Sequence, residues 1–328
     1  MKTLLLSIND VKEALSMQEV IHAVEEGYLA YYHGKVQQPD IVSMEMPESN
    51  GETDIKSCYN KVNERISVKI ASGFYDNGKK NDLPTMIGTI LLFDGENGAP
   101  LCVMDGSLIT GIRTGAAGAI SAKLLARKDS EKVAVFGAGG QARMQIYALN
   151  HVLPVKEVRV YSEYQEELQA YKKELEENTD VKVILCDTPK MAMEGVDIAI
   201  STTPAKKYFV DQSLVKPGMH IIAVGADMEG KNEWDPSIFA HAKIINDSIV
   251  QCTSRGETRN AIVSGVIQQE DIYAEIGELL AGKKPLREND DEITIFDTTG
   301  MGIQDNMTAV MVYEAAKEKG LGKYFEFI

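Results

Sequence analysis

The chain has 328 residues, of which 44% are hydrophobic and 25% are charged, a composition typical of a globular protein with room for two domains. Its 34 basic and 49 acidic residues give a net charge of −15, and such an acidic surface disfavours a nucleic-acid partner because it repels phosphate. No apolar run reaches the ~18 residues of a membrane-spanning helix, and the first apolar run is too short for a secretory signal. We therefore expect a cytoplasmic protein with no membrane contact.

The four cysteines are far apart in the sequence and show no spacing typical of metal ligands. This pattern predicts isolated buried or semi-buried thiols in a reducing compartment, and no metal site.

The first third of the chain predicts a sheet with one long helix. Residues 1–8 form an apolar run that we interpret as a first strand, and a helix follows from a cap at Ser16 to a stop at Gly34. Turn formers then separate short β-prone runs, which indicates an antiparallel or mixed sheet. The predicted strands are 40–46, 54–60, 66–72, 85–93 and 101–104.

After a predicted helix from Ser107 to Arg127 and a polar hinge at 128–131, strands and helices alternate. This alternation predicts a parallel, doubly wound sheet and hence an α/β fold of the Rossmann type. A last strand at 293–296 precedes a closing helix near 304–319. The predicted strands of the parallel sheet are 132–136, 157–161, 181–185, 197–200, 220–224 and 243–246.

A glycine-rich turn follows the first of these strands directly. In a Rossmann turn the first glycine permits the bend, the second lets the backbone approach a pyrophosphate, and a small third residue lets helix and strand pack closely. The alternative is a tight strand-to-helix turn that binds no ligand. The residues predicted to bind a dinucleotide are Gly137, Gly139, Gly140, Gln141 and Ala142.

The next strand ends at Ser162 and Glu163. An acidic side chain at this strand end would bind the ribose 2′-hydroxyl and repel a 2′-phosphate. Ser162 takes the usual place of that acid, Glu163 follows one residue later, and no arginine stands there to hold a phosphate. The pattern favours NAD, with NADP left open; the alternative for Glu163 is a solvated surface charge.

Three charged residues are candidates for substrate chemistry. Arg113 stands among glycine, alanine and threonine, where a guanidinium is costly to bury without an anion, so it predicts a carboxylate clamp or a structural salt bridge. Lys69 lies in an apolar strand, and it is predicted either to be a second cation for that carboxylate or to lie on a half-exposed face of the strand. Asp227 follows the strand at 220–224, at the sheet edge where ligands bind. It is predicted to be a general base or, alternatively, only a turn residue.

Several stretches, in this order, resemble the ornithine cyclodeaminase/mu-crystallin family, and the resemblance covers nearly the whole chain. The matching stretches are Leu83-Pro84-Thr85, Ile109 to Thr114, Phe136 to Ala142, Val224 to Asp227 with Gly230-Lys231, and Phe296 to Gly300. The family includes cyclodeaminases, an archaeal-type alanine dehydrogenase, cyclic ketimine reductases and siderophore-precursor enzymes.

The resemblance implies an α+β substrate-binding and dimerisation domain formed by 1–118 with 299–328, and a Rossmann domain over 119–298. Two subunits would join through the former into a homodimer. Lys69 and Arg113 would grip an amino-acid carboxylate, with Asp227 as the catalytic carboxylate and Lys69 beside it in the catalytic set. Residues implied to line the cofactor or substrate cleft are Thr85, Thr114, Thr202, Thr203, Val224, Gly225, Lys231 and Thr298.

The implied reaction is hydride transfer at the Cα–N bond of a small amino or cyclic imino acid, with NAD as cofactor. One alternative is an ornithine cyclodeaminase, a lyase that forms proline and ammonia without net redox change. A second alternative is a non-catalytic, mu-crystallin-like protein that binds a small ligand, although retention of Lys69, Arg113 and Asp227 together argues for catalysis.

Two departures from the cyclodeaminase pattern disfavour ornithine as the substrate. Those relatives carry an arginine near the position of Pro39-Asp40-Ile41, and this chain has no arginine from Met1 to Glu64. They also carry a glutamate near the position of Lys56, and a lysine there would repel the terminal amine of ornithine. The pocket is therefore predicted to suit another amino or imino acid.

Overall fold

The computed structural model describes residues 2–326. The chain divides into two compact units, of which unit 1 comprises Met1–Arg113 and Met301–Ile328, and unit 2 comprises Thr114–Gly300. The functional division predicted above, 1–118 with 299–328 against 119–298, stays a prediction.

Unit 1 is built on a mixed sheet with helices α2 and α11 among its helical elements. Within the described residues the sheet has eight strands in the order β16-β1-β7-β6-β5-β4-β2, with β3 paired to β4, and all pairs are antiparallel except β1 with β7. Its elements are β1 (Lys2–Leu6), α1 (Ile8–Ala14), α2 (Met17–Tyr32), β2 (Val36–Gln37), β3 (Val42–Met46), β4 (Gly51–Asn60), β5 (Arg65–Phe74), α3 (Asn77–Lys80), β6 (Met86–Asp94), β7 (Pro100–Asp105), α4 (Ser107–Leu125, which continues into unit 2), α11 (Gly302–Lys319) and β16 (Lys323–Glu326).

Unit 2 is a parallel sheet flanked by helices. The part of unit 2 that the structure describes has the strand order β10-β9-β8-β11-β12-β15-β13-β14, with every pair parallel. Its elements are β8 (Lys132–Phe136), α5 (Gly140–Leu149), β9 (Glu157–Tyr161), α6 (Gln165–Asn178), β10 (Lys182–Leu185), α7 (Pro189–Ala192), β11 (Ile198–Ser201), β12 (His220–Ala223), β13 (Ala242–Asn246), α8 (Ile249–Arg255), α9 (Glu257–Val263), β14 (Ala274–Glu275), α10 (Ile276–Leu280) and β15 (Ile293–Asp297).

This topology confirms the predicted fold class. Chain order runs outward from β8 to β10 on one side and continues from β11 on the other, so the order reverses between β8 and β11. Such a switch point is where open α/β sheets bind ligands, because the loops at the carboxyl ends of the two central strands diverge there. The turn after Phe136 therefore stands at the expected place for a ligand.

The prediction of one strand over residues 1–8 was wrong at its carboxyl end. The described strand ends at Leu6, and Ser7 caps helix α1 through a capping box with Asp10. The Ser-x-x-Asp spacing that favours a helix start lay inside the apolar run that we assigned to the strand. Met1 lies outside the described residues, and β16, which pairs with β1, was not predicted.

The buried histidine of β12 generates a prediction about stability. His220 is fully buried, its Nδ1 lies 2.8 Å from Thr294 Oγ1 and its Nε2 lies 3.1 Å from Ser121 Oγ. Burial first, and then the Arg287 guanidinium, lowers the pKa of His220 from 6.5 to about 3. The folded state therefore holds the neutral imidazole, whereas the unfolded chain is protonated below pH 6.5.

We expect the stabilisation from neutral His220 to be complete above pH 6.5 and to be lost as the pH falls towards 3. Between about pH 7 and pH 5 this loss amounts to about 2 kcal/mol, since one pKa unit corresponds to about 1.4 kcal/mol. Urea unfolding of the wild type and of His220→Gln at both pH values measures it. An equal pH dependence in the two proteins would contradict the assignment.

Candidate functional site

The glycine turn of unit 2 has the geometry that a dinucleotide requires. Gly137 has φ +99°, a left-handed conformation that glycine adopts readily, and a Cβ built there would lie 2.8 Å from Thr202 Oγ1. No described heavy atom lies within 4 Å of a Cβ built on Gly139 or Gly140. Ala142 is fully buried where α5 packs against the sheet. The turn is thus tight at its first residue and open at the next two glycines.

The N-terminus of α5 offers backbone N–H groups to a phosphate. Gly139 is the N-cap residue, and among residues 2–326 no side chain caps this end of the helix. Uncapped N–H groups and the positive end of the helix dipole favour an anion. The residues therefore fit the pyrophosphate of a dinucleotide.

The carboxyl end of β9 lies beside this turn, because the Gly137 N–H donates to the Tyr161 carbonyl at 2.8 Å. Ser162 is buried and its Oγ accepts the Tyr164 N–H at 3.1 Å, while Glu163 is exposed. Glu163 thus presents an exposed carboxylate at the strand end that is predicted to face a ribose, whereas the Ser162 side chain is turned to its own loop. Its role in holding the 2′-hydroxyl stays a prediction.

The loops after β11 and β12 are joined by a residue that the sequence reasoning missed. Glu233 is fully buried; its Oε1 accepts the Thr203 N–H at 2.6 Å and its Oε2 accepts the Gly225 N–H at 3.0 Å. Burial raises the pKa of Glu233 to about 7, although these N–H donors favour the ionised form. Its neighbours in the sequence, Asn232 and Trp234, give no sign of these contacts.

Asp227 lies on the loop that follows β12. Its Oδ1 accepts the Lys231 Nζ at 2.7 Å, and its side chain remains 42% exposed. Two of the predicted site residues are therefore brought together as an ion pair. The half-exposed carboxylate is accessible for proton transfer, and the catalytic role of Asp227 stays a prediction.

Three of the five threonines predicted to line the cleft lie in different surroundings. Thr298 is buried and its Oγ1 donates to Asp247 Oδ2 at 2.6 Å. Thr114 is buried on α4 and its carbonyl accepts Gln145 Nε2 at 3.0 Å. Thr85 is an exposed residue of unit 1 that precedes β6. Their predicted contacts with a cofactor or substrate stay predictions.

Unit 1 carries a buried cluster of charges, which we call the cation cluster: Lys56, Lys69, Arg113 and Asp305. Lys69 from β5 is 1% exposed, and its Nζ lies 2.8 Å from a carboxylate oxygen of Asp305, in the first turn of α11. Arg113 from α4 is 4% exposed and donates from Nε to Asp305 Oδ1 at 2.9 Å. The half-exposed alternative for Lys69 was wrong, and Arg113 forms a salt bridge.

Lys56 adds a third positive charge to the cation cluster. It lies on β4 directly opposite Lys69 of β5, and its side chain is also buried. Burial first, and then the charges of Arg113 and Lys56, lowers the pKa of Lys69 to about 7, against the opposing effect of Asp305. Like charges directly opposite in a sheet are unfavourable, so the neighbouring positive charges disfavour the charged form of Lys69.

Asp305 itself was not predicted from the sequence. Burial would raise its pKa, but Arg113 and Lys69 outweigh burial and hold the pKa of Asp305 below its ordinary value. The adjacent Gln304 accepts from Arg113 Nη1 at 3.0 Å and donates to Tyr28 Oη at 2.6 Å. Paired polar residues in the first turn of a mostly buried helix were the signal that could have revealed this contact.

A match to a known family joins these observations. The sequence model of the ornithine cyclodeaminase/mu-crystallin family matches residues 1–320. The chain belongs to this family. The resemblance drawn from the motifs is thereby confirmed.

Curated and solved relatives span the whole chain. The alanine dehydrogenase of Archaeoglobus fulgidus is 38% identical over 327 residues, which cover 100% of this chain and 99% of that protein. The archaeal alanine dehydrogenase dimer with bound NAD has a TM-score of 0.94 at 38% identity, with 100% of both chains covered. The Δ1-pyrroline-2-carboxylate reductase of Thermococcus litoralis, in complex with NADH and L-proline, has a TM-score of 0.95 at 35% identity, covering 98% of this chain and 99% of that one.

Other features of the described residues bear on the site. No group of three or more His, Cys, Asp or Glu side chains within residues 2–326 is placed to hold a metal ion. The four cysteines are buried free thiols. Among the helices in the described part of the chain, none combines the length and the apolar character needed to cross a bilayer.

The cation cluster generates a prediction about stability. We expect Asp305→Asn to lower the free energy of unfolding by about 3–5 kcal/mol, because it leaves two buried cations without a compensating carboxylate. Glu314→Gln on the same helix is the matched control, since Glu314 forms a half-exposed pair with Lys317 and should cost less than about 1 kcal/mol. Urea unfolding of both variants measures the difference, and equal losses would contradict the burial argument.

Proposed function

We propose that this protein is an NAD-dependent oxidoreductase that acts at the Cα–N bond of a small amino or cyclic imino acid. The observation that carries the proposal is the buried cation cluster, in which Lys69 and Arg113 share the carboxylate of Asp305 and offer positive charge to the carboxylate of a substrate. The NAD- and NADH-bound relatives support the choice of cofactor.

We propose that Gly137, Gly139 and Gly140 hold the dinucleotide, with the N-terminus of α5 on its pyrophosphate. Glu163 at the end of β9 would accept the ribose 2′-hydroxyl and thereby favour NAD over NADP. Bound NAD or NADH supplies hydride acceptance from, or donation to, the substrate Cα.

The chain's own residues bind the substrate and move a proton. Arg113 of α4 presents a planar guanidinium suited to a carboxylate, and Lys69 of β5 adds a compact positive charge. Asp227 would remove a proton from the substrate amine, or return one to it in the reductive direction. Lys231, paired with Asp227 at 2.7 Å, stabilises the ionised carboxylate that such a base requires.

Lys56 supports this oxidoreductase over an ornithine cyclodeaminase. Its buried ammonium lies opposite Lys69 in the sheet register. A terminal amine of ornithine brought to this part of unit 1 would meet a positive charge where the cyclodeaminase pattern has a negative one, and the repulsion would oppose binding. We therefore propose a substrate without a second amine.

Turnover with purified protein tests the proposal. We expect NADH consumption with cyclic imino acids or with 2-oxo acids and ammonia, and NADH formation with the corresponding amino acids, followed by NADH absorbance. Ornithine should yield no proline. Proline formation from ornithine without net NADH change would contradict the oxidoreductase and establish the lyase.

Asp227→Asn tests the proposed proton transfer. We expect kcat to fall by about 100-fold or more while the Kd for NAD stays within about twofold, because the change removes a proton acceptor and no cofactor contact. Glu229→Gln is the matched control: the same loop loses one carboxylate, 75% exposed, that pairs with Arg259, and kcat should hold. An unchanged kcat in Asp227→Asn, with NAD bound normally, would reject the proposed catalytic role of Asp227.

We also propose that the protein forms a homodimer through the outer face of the unit 1 sheet. Val42, Ile55 and Ile70 are consecutive partners across β3, β4 and β5, and Met44 and Ile87 fall on the same face two residues along. Of these, Val42, Met44, Ile70 and Ile87 are exposed by 56%, 46%, 39% and 42%. An apolar face of this extent favours association with a second copy.

Substitution on this face tests the dimer. We expect Ile70→Arg with Ile87→Arg to convert the dimer to a monomer, because a dimer would bury both guanidinium groups without partners. Sedimentation or light scattering measures the mass. Val263→Arg, at a 69% exposed position of unit 2, is the control and should leave the mass unchanged. A wild-type monomer, or a double variant that stays dimeric, would contradict the proposed interface.

A further inference from the structure

The loop that carries Asp227 is held at its base by a buried side chain together with main-chain hydrogen bonds. It leaves the sheet after β12 at Ala223, where the Gly225 N–H also donates to the Ser201 carbonyl at 3.1 Å, and beyond Glu233 a bridge joins Trp234 to Val210. At this base Glu233 Oε2 accepts the Gly225 N–H at 3.0 Å, and the Asn232 N–H donates to the Ala205 carbonyl at 2.7 Å. Glu233 thus adds a side-chain contact to the main-chain bonds that hold this loop against the sheet.

The same carboxylate fixes a second loop. Glu233 Oε1 accepts the Thr203 N–H at 2.6 Å, in the segment that follows β11. Thr203 and Gly225 both belong to the residues predicted to contact the cofactor. One carboxylate therefore fixes the relative placement of two loops whose strands are neighbours in the parallel sheet.

Glu233 is itself held rigidly from both sides. Its N–H donates to Glu257 Oε1 at 2.5 Å, and its carbonyl accepts the Phe209 N–H at 3.1 Å. The carboxylate is fully buried, main-chain N–H groups donate to both of its oxygens, and the side chains of Ser201 and Thr203 also hydrogen-bond to it. Burying a carboxylate costs free energy. Two strong hydrogen bonds to main-chain N–H groups at fixed positions offset this cost.

The glycine at position 225 matches this arrangement. A Cβ built on Gly225 would lie 2.5 Å from Glu233 Oε2, 2.3 Å from the Thr203 carbonyl oxygen and 2.5 Å from the Thr203 nitrogen. Any larger residue would push the two loops and the carboxylate apart. Glycine at position 225 and glutamate at position 233 therefore both allow the loops that carry Thr203 and Gly225 to lie close together.

We propose that Glu233 is a positioning residue that locks the loops bearing Thr203 and Asp227 into the arrangement needed for cofactor binding and proton transfer. This inference rests on the proposed function. Glu233 acts through the main-chain N–H groups of Thr203 and Gly225, and it touches neither substrate nor reacting atoms. The bridge requires two acceptor oxygens, and only a carboxylate among side chains of this length supplies them.

Glu233→Gln is the sharpest variant, because it keeps shape and replaces one acceptor oxygen by an amide that must face an N–H donor. At about pH 8, where the wild-type carboxylate is ionised, we expect the Kd for NAD to rise and kcat to fall, each by about tenfold. Thr258→Val is the structural control: it removes a buried hydroxyl that accepts Asn246 Nδ2 at 2.8 Å and touches neither loop. It should lower the melting temperature while Kd and kcat stay within about twofold of wild type.

Amide hydrogen exchange on the wild type gives a readout that does not depend on how the variant folds. The Thr203 and Gly225 amides should be protected like those of β11 and β12. Glu233→Gln should lose protection at Thr203 while β8 stays protected, and Gly225, whose N–H also donates to the Ser201 carbonyl, should lose less. Rapid exchange of both amides in the wild type, or a Glu233→Gln enzyme with unchanged Kd and kcat, would overturn the inference. Failure of the wild type to bind NAD would instead reject the proposed function, and the exchange result would still report on the bridge.

Discussion

Two buried cations in unit 1 share one carboxylate, and this ion cluster ties together β5, α4 and α11, which supply Lys69, Arg113 and Asp305. Removing Lys69 and Arg113 from water is costly, and Asp305 offsets only part of the cost. Lys56 adds a further positive charge across the sheet. The substrate carboxylate that we propose for this unit would meet Lys69 and Arg113 already held in place by Asp305.

Unit 2 buries carboxylates rather than cations. Its buried acids, Glu233 among them, are satisfied largely by main-chain N–H groups. Parallel strands end in loops whose N–H groups lack ladder partners, and buried carboxylates provide acceptors that hold these loops in place. The loops at this edge of the sheet are thereby held in place while the space beside Gly139 and Gly140 stays open.

Much of the fold followed from local pattern. The alternation after residue 131 predicted the parallel sheet because buried strands leave short apolar runs between amphipathic helices. Turn chemistry located the Gly137 bend, since a left-handed φ and a close neighbour at Thr202 leave little choice but glycine. The missed α1 shows the limit: a capping box inside an apolar run carries two signals, and tertiary packing decides between them.

Site residues divide along the same line. Lys69, Arg113 and Asp227 were found because a charge in an apolar or small-residue stretch is anomalous in one dimension. Asp305 and Glu233 were missed because only their hydrogen-bond partners explain them. Asp305 lies 236 residues from Lys69, and Glu233 lies 30 residues from Thr203. Hydrogen-bond partners at such separations leave no mark on spacing.

The sequence by itself therefore determined the family, the doubly wound sheet, the dinucleotide turn and the identity of the charged candidates, because each depends on residue type and short-range order. Only the tertiary structure decided that Lys69 is buried rather than half-exposed, that Arg113 and Lys69 share Asp305, and that Glu233 bridges two loops. Burial and ion pairing depend on which distant segments pack together, and a linear pattern carries no direct record of that packing.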